Sequence, residues 1–191
     1  VTLTASDGDL TATVTITITN LAVDWSGVKS AIESATYTYG DTNGKAALPA
    51  SGTAQAADTT VHGTFAYEEP NTIQNAGERT ITVTFTVTDE GAYHDVTLTE
   101  TFPITIAKKA LTPEMITITG SYTYTGSAIT PAYTVADGTL MVEDDYDVTV
   151  TNNTDAGKAT VTVTAYAEGN YSGSASKTFT IAKAAITGFA A

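Results

Sequence analysis

Apolar and polar residues alternate along much of the chain. Leu10-Thr-Ala-Thr-Val-Thr-Ile-Thr-Ile18, Thr80-Ile-Thr-Val-Thr-Phe-Thr-Val-Thr88 and Thr160-Val-Thr-Val-Thr164 each place Thr at every second position. Successive side chains of a strand point to opposite faces, so these runs predict strands with one buried and one polar face. A helix would scatter the same residues around its circumference. Thr favours strands through its β-branch, and cross-strand Thr pairs can hydrogen-bond. The pattern assigns Ile81, Val83, Phe85, Val87, Val161, Val163, Phe179 and Ile181 to the core. Turn signals separate the runs: Asp7-Gly8, Glu90-Gly91, Asp137-Gly138, Asn152-Asn153 and Gly169-Asn170. One short helix is predicted over Gly27–Ser34, capped by Ser26, with Val28 and Ile32 on one face. Thr112-Pro-Glu114 reads as a single helical turn with Pro in its favoured first position.

The strand pattern recurs. Val1-Thr-Leu-Thr-Ala5, Ile81-Thr-Val-Thr-Phe85 and Val161-Thr-Val-Thr-Ala165 start 80 residues apart. Each leads to an acidic-Gly turn and an apolar or Tyr anchor: Asp7-Gly-Asp-Leu10, Glu90-Gly-Ala-Tyr93 and Glu168-Gly-Asn-Tyr171. Asn75-Ala-Gly77 matches Asp155-Ala-Gly157, and Tyr37-Thr-Tyr-Gly40 matches Tyr122-Thr-Tyr-Thr-Gly126. The repeat divides the chain into a closing hairpin (1–20), a unit at 21–107, a second unit at 108–183 and a linker stub at 184–191. The hairpin belongs either to an upstream repeat or, as extra strands, to the first unit. Val1 is no natural initiator, so the chain reads as a fragment of something longer. Units of about 80 residues with about seven short strands predict an all-β protein of tandem Ig-like antiparallel β-sandwich domains. The junctions lack a Gly/Ser tract, which predicts limited swing.

Tyr122-Thr-Tyr-Thr-Gly126, Ile129-Thr-Pro131, Asp145-Tyr146, Asn152-Asn153, Asp155-Ala-Gly157, Gly169-Asn-Tyr171 and Thr178-Phe-Thr-Ile-Ala-Lys183 together resemble the bacterial Ig-like repeats called MBG. The second unit carries the resemblance over nearly its whole length. The first, with Tyr39-Gly-Asp41, Asn75-Ala-Gly77 and Tyr93, is similar to a divergent branch and lacks the Asp-Tyr and Asn-Asn marks. The resemblance implies tandem neighbours in the same chain, a bacterial cell-surface or secreted setting, and a stalk or adhesive role without catalytic residues. On this reading Gly77 and Gly157 permit tight turns. Tyr93 and Tyr171 plug the end of a sandwich, ring inward, with the hydroxyl on solvent or a carbonyl.

Composition narrows the partners. The 191 residues carry 21 acidic and 8 basic side chains, a net charge of −13. That charge repels nucleic acid and anionic lipid headgroups. No run of 18 apolar residues exists to insert into a membrane. The absence of Cys excludes disulfides and Cys-based zinc sites.

No motif assigns catalytic, cofactor-binding or metal-binding residues. His62 and His94 belong to no paired-His motif, and Gly169-Asn-Tyr-Ser-Gly173 misses the nucleophile-elbow pattern by one position. Glu143-Asp-Asp145 with Asp147 is the densest acidic group; a solvated turn explains it better than a Ca²⁺ site. The Thr rows would need an untwisted sheet to act as an ice-binding lattice, and sheets twist. Asn152-Asn-Thr154 and Asn170-Tyr-Ser172 are formal glycosylation sequons. A glycan- or host-protein-binding module is the second reading, with Trp25, Tyr133, Tyr146 and Tyr166 as aromatic candidates. Trp25 fits a wedge between two sandwiches better than a sugar platform.

Overall fold

The computed structural model describes residues 2–7, 10–15, 21–138, 140–141 and 145–186, with the side chains of 2–7, 10–15 and 140–141 left aside. It is mostly β, with several sheets and one α-helix among the described residues. By contact the chain divides into two compact units. The first comprises Val1–Ala35, Asn43–Thr72 and Thr80–Ile104, the second Thr36–Thr42, Ile73–Arg79 and Thr105–Ala191. The second unit thus takes in short pieces of the 21–107 repeat along with all of 108–183.

The first half contains β1 (Thr2–Asp7) and β2 (Leu10–Thr15), an antiparallel hairpin that forms a two-stranded sheet of its own. The predicted Asp7-Gly8 turn itself falls outside the described residues. Next come β3 (Leu21–Val23), α1 (Ser26–Ser34), β4 (Tyr37–Thr38), β5 (Gly52–Ala56), β6 (Thr59–Tyr67), β7 (Gly77–Val87) and β8 (Thr97–Ala107). They build one six-stranded sheet in the order β3-β5-β6-β7-β8-β4, with α1 outside it. Helix α1 buries Val28 and Ile32, as the i,i+4 spacing predicts. Its capping differs from expectation. Ser26 is the first helical residue, and its N–H is accepted by Asp24 Oδ1 at 3.0 Å. The Asp side chain two residues upstream reaches an amide that the Ser26 hydroxyl cannot satisfy for itself. The Ser26 hydroxyl first, and then the Ser26 amide, hold the Asp24 carboxyl below its ordinary range.

Strand β7 shows why Thr and apolar residues alternate. Ile81, Val83, Phe85 and Val87 are at most 1% exposed, while Thr82, Thr84 and Thr86 remain half-buried. The first unit's core also uses Leu21, Ala54, Ala56 and Val61, with Trp25, Phe65, Tyr93 and Leu98 packed against it. Trp25 lies 5.4 Å from the Phe65 ring, 6.5 Å from Phe85 and 6.0 Å from Phe102. It packs against this core, on three rings of its own unit, rather than standing as a wedge between sandwiches. The rings fit because Gly52 and Gly63 pair across β5 and β6. A Cβ at Gly52 would stand 2.2 Å from the Phe65 ring, and one at Gly63 would stand 2.5 Å from Phe85. Two missing side chains make room for two phenyl rings.

In the second half β9 (Lys109–Ala110) is followed by a 3₁₀ turn at Pro113–Met115, where the sequence predicts one, and by β10 (Ile116–Thr119), β11 (Tyr122–Thr123) and β12 (Ala132–Asp137). The remaining strands are β13 (Leu140–Met141), β14 (Tyr146–Thr151), β15 (Gly157–Ala165), β16 (Tyr171–Ser172) and β17 (Ser174–Ala182). One sheet runs β10-β12-β13, another β11-β17-β15-β14, and β9 pairs with β16. Ile116 and Val135 of one sheet share a core with Val161, Val163, Phe179 and Ile181 of the other. On the opposite face of β15 and β17, Thr162 and Ser176 sit across from each other and their hydroxyls hydrogen-bond at 2.8 Å.

The sequence repeat has a structural counterpart. The order β11-β17-β15-β14 repeats β4-β8-β7-β6. In the first copy Tyr37-Thr38 pairs parallel with Ile106-Ala107, and in the second Tyr122-Thr123 pairs parallel with Ile181-Ala182. The Tyr39 amide donates to the Ala107 carbonyl at 2.9 Å, and the Tyr124 amide to that of Ala182 at 2.8 Å. Gly77 and Gly157 open the matching strands at φ +108° and +145°, the left-handed conformation the repeat motif anticipates. The copies differ where α1 stands in the first and the 3₁₀ turn with β10 in the second.

Gly52→Ala is expected to cost about 1–3 kcal/mol by overpacking. Phe65→Leu in the same chain should recover part of that loss. Urea unfolding of the two single variants and the double variant gives the coupling directly, and additive costs would contradict the ring-over-glycine arrangement.

Candidate functional site

The densest polar group among the described residues surrounds the Glu168–Ser172 turn of the second unit. Tyr171 is only 1% exposed, and its ring meets Tyr39 edge-on at 5.3 Å. Its hydroxyl lies 3.5 Å from Asp137 Oδ2, not on solvent or on a carbonyl as the repeat motif implied. Asp137 ends β12 beside that ring, so a carboxylate reaches the phenol first. The Lys109 ammonium holds the same Oδ2 at 2.6 Å. Burial first, then the charge of Asp137, pushes the Tyr171 phenol above its ordinary range.

Asn170 uses both ends of its amide. Its Oδ1 accepts from the Ala76 N–H at 2.9 Å, and its Nδ2 donates to Asn75 Oδ1 at 3.3 Å. Its carbonyl accepts from the Lys109 amide at 3.0 Å, and the Ser172 carbonyl from the Leu111 amide at 2.9 Å, which together make the β9–β16 pair. The Lys108 ammonium donates to the Ala167 carbonyl. Asp145 sits under the turn: its Oδ1 is 2.5 Å from where a Gly169 Cβ would be, so a side chain at 169 would displace that carboxylate. The Asn170-Tyr-Ser172 sequon therefore has its acceptor amide committed to protein partners.

The other sequence candidates are dispersed. The His62 backbone N–H and Nδ1 lie 2.7 and 3.0 Å from Asp89 Oδ2, which fixes the hydrogen on Nδ1 when the ring is neutral and holds the Asp89 carboxyl below its ordinary range. His94 is flanked by Glu90 at 3.7 Å and Asp95 at 3.2 Å. Both imidazoles are exposed, His62 on strand β6 and His94 on the turn after β7. Asp145 and Asp147 are separated in use, Asp145 under the Gly169 corner and Asp147 on the Val148 amide at 2.9 Å. Glu143 and Asp144 lie outside the described residues. No group of three or more His, Asp or Glu able to hold a metal occurs among the described residues. Of the aromatic candidates, Trp25, Tyr133 and Tyr146 pack against cores, whereas Tyr166 is 49% exposed. Sequence reasoning missed Tyr124, which is 41% exposed beside a groove of about 380 Å³ formed with Asp155, Ala156 and Lys183–Ile186. The sequence signal for it is the match between Tyr37-Thr-Tyr39 and Tyr122-Thr-Tyr124. No described helix is long and apolar enough to cross a membrane.

Compared with known proteins, the chain matches no family model, no curated protein and no solved structure.

Two outcomes follow from this chemistry. Tyr171 holds its phenolic proton more tightly folded than unfolded, where it ionises near pH 10. Stability should therefore fall as pH rises beyond about 10, and Tyr171→Phe should flatten that fall while costing about 1 kcal/mol at neutral pH, read by thermal melts across pH. Adding Ca²⁺ or EDTA should leave the melting temperature of the wild-type chain unchanged, and a rise with Ca²⁺ would show that the folded chain binds the metal.

Proposed function

We propose that this chain is a non-catalytic spacer segment of a bacterial cell-surface or secreted protein, built from tandem Ig-like β-sandwich repeats of MBG type. The duplicated strand arrangement, closed in each copy by the same Tyr-Thr segment against an Ile-Ala strand end, carries the reading. Repeated units that fold alike add length without adding a new site. The polar groups around Tyr171 support it too, since their partners are other groups of the same chain and their geometry braces a turn. Net charge −13 disfavours self-association and suits presentation of other modules in solvent.

A glycan- or host-protein-binding module is the second reading, favoured by the exposed ring of Tyr166. A glycan array with the intact chain separates the two. The spacer reading expects no specific signal; a specific hit lost on Tyr166→Ala would replace it. Trp25→Ala is unsuited to this test because it removes a ring from the core. In the positive assay, an epitope displayed on bacteria through this chain should be as accessible to antibody as through an unrelated linker of equal reach.

A further inference from the structure

The groove beside Tyr124 has a filled counterpart earlier in the same sequence. Tyr124 corresponds to Tyr39, Asp155-Ala156 to Asn75-Ala76, and Lys183–Ile186 to Lys108–Leu111. Ile106-Ala-Lys-Lys-Ala-Leu-Thr112 and Ile181-Ala-Lys-Ala-Ala-Ile-Thr187 are identical at five of seven positions. The backbone holds both sets alike, through the matching Tyr39–Ala107 and Tyr124–Ala182 hydrogen bonds.

The earlier set is covered. Tyr171 lies edge-on to Tyr39, Asn170 grips Asn75 and Ala76, Lys108 reaches the Ala167 carbonyl, and Lys109–Ala110 pairs with Tyr171–Ser172. Leu111 is then 8% exposed within the second unit's core. The later set is bare among the described residues. Tyr124 is 41% exposed and Ile186, the counterpart of Leu111, is 82% exposed. Ala184 and Ala185 are exposed and lie outside any strand. An apolar residue so exposed, at a position whose counterpart is core, marks a surface made to be covered.

We infer that Tyr124, Asp155-Ala156 and Lys183–Ile186 form the acceptor site for a further repeat of this kind, which docks its acidic-Gly-Asn-Tyr turn there. This rests on the tandem-repeat reading and names the partner of one surface. The incoming Asn donates its Nδ2 to Asp155 and accepts from the Ala156 amide. The incoming Tyr ring packs on Tyr124, the residues after the Asn pair in parallel with Ala184-Ala185, and Ile186 enters the incoming core. Asp155 in place of Asn75 strengthens the grip, because a carboxylate only accepts and the Asn Nδ2 only donates. Shared charge of one sign disfavours a second free copy as occupant, whereas a covalently following repeat arrives at high effective concentration.

The test extends the chain: residues 1–187 followed by a second copy of residues 113–186, which keeps the acceptor intact and preserves the Thr-Pro register. Amide hydrogen exchange should slow at Ala156 by about tenfold or more relative to the unextended chain, into the range of Ala76 in the same molecule. Changing the appended copy's Asn170 to Ala should release Ala156 and leave Ala76 protected. An appended segment that folds, with its own β15 amides protected, while Ala156 exchanges as before overturns the acceptor assignment alone. An appended segment without protected amides overturns the repeat reading and the assignment with it. Slowed exchange at Ala156 in the unextended chain that grows with protein concentration gives the groove to a second copy and overturns the assignment.

Discussion

A strand with period-two chemistry can bury only one of its faces, and its backbone must be satisfied on both edges. Strands β7 and β15 meet both demands. Strand β7 turns Ile81, Val83, Phe85 and Val87 toward a core and β15 turns Val161 and Val163, each with Thr on the other face, and each is held between two neighbours in its sheet. The rest of each copy follows from them. The partner strand must end in Ile-Ala so that one residue points inward while its backbone reaches the Tyr-Thr segment. The Gly that opens each strand must take a positive φ, because the chain arrives there from a tight corner. Thr lets this happen at low charge, since it fills outward positions that Lys and Glu would otherwise occupy.

Much of this was legible in residues. Alternation located the buried face of β7 and β15 to the residue, because one-residue slippage would invert every side chain. The 80-residue spacing located the matching glycines and tyrosines. Val28 and Ile32 locate the helix, but its N-cap position is Trp25 and not Ser26, and the oxygen that meets the first helical amide comes from Asp24, which local sequence does not rank above Ser26. Trp25 was read as a junction residue because its real neighbours, Phe65, Phe85 and Phe102, are distant in sequence. Nor did the pattern announce the Gly52–Gly63 pair, whose meaning depends on which rings lie above it.

The Glu168–Ser172 corner shows the same division. Its Gly, Asn and Tyr were legible as a turn and an anchor. The partners of Asn170 lie some ninety residues upstream, and the carboxylate that meets Tyr171 comes from the end of another strand. Such pairings are set by tertiary approach, which a strand pattern does not encode. Buried Tyr171 and half-buried Asn170 are tolerated there because their polar side-chain atoms meet partners; a half-satisfied arrangement would cost more than an apolar one.

The Tyr-Thr segment and the Ile-Ala strand end that close each copy lie about sixty to seventy residues apart in the chain. Contacts of that separation form late, because the intervening loop must first lose its freedom. During synthesis the segment emerges from the ribosome long before its partner and waits with an open edge. Each copy thus has a window of vulnerability that ends only when its last strand is made, and the chain passes through that window once for each copy.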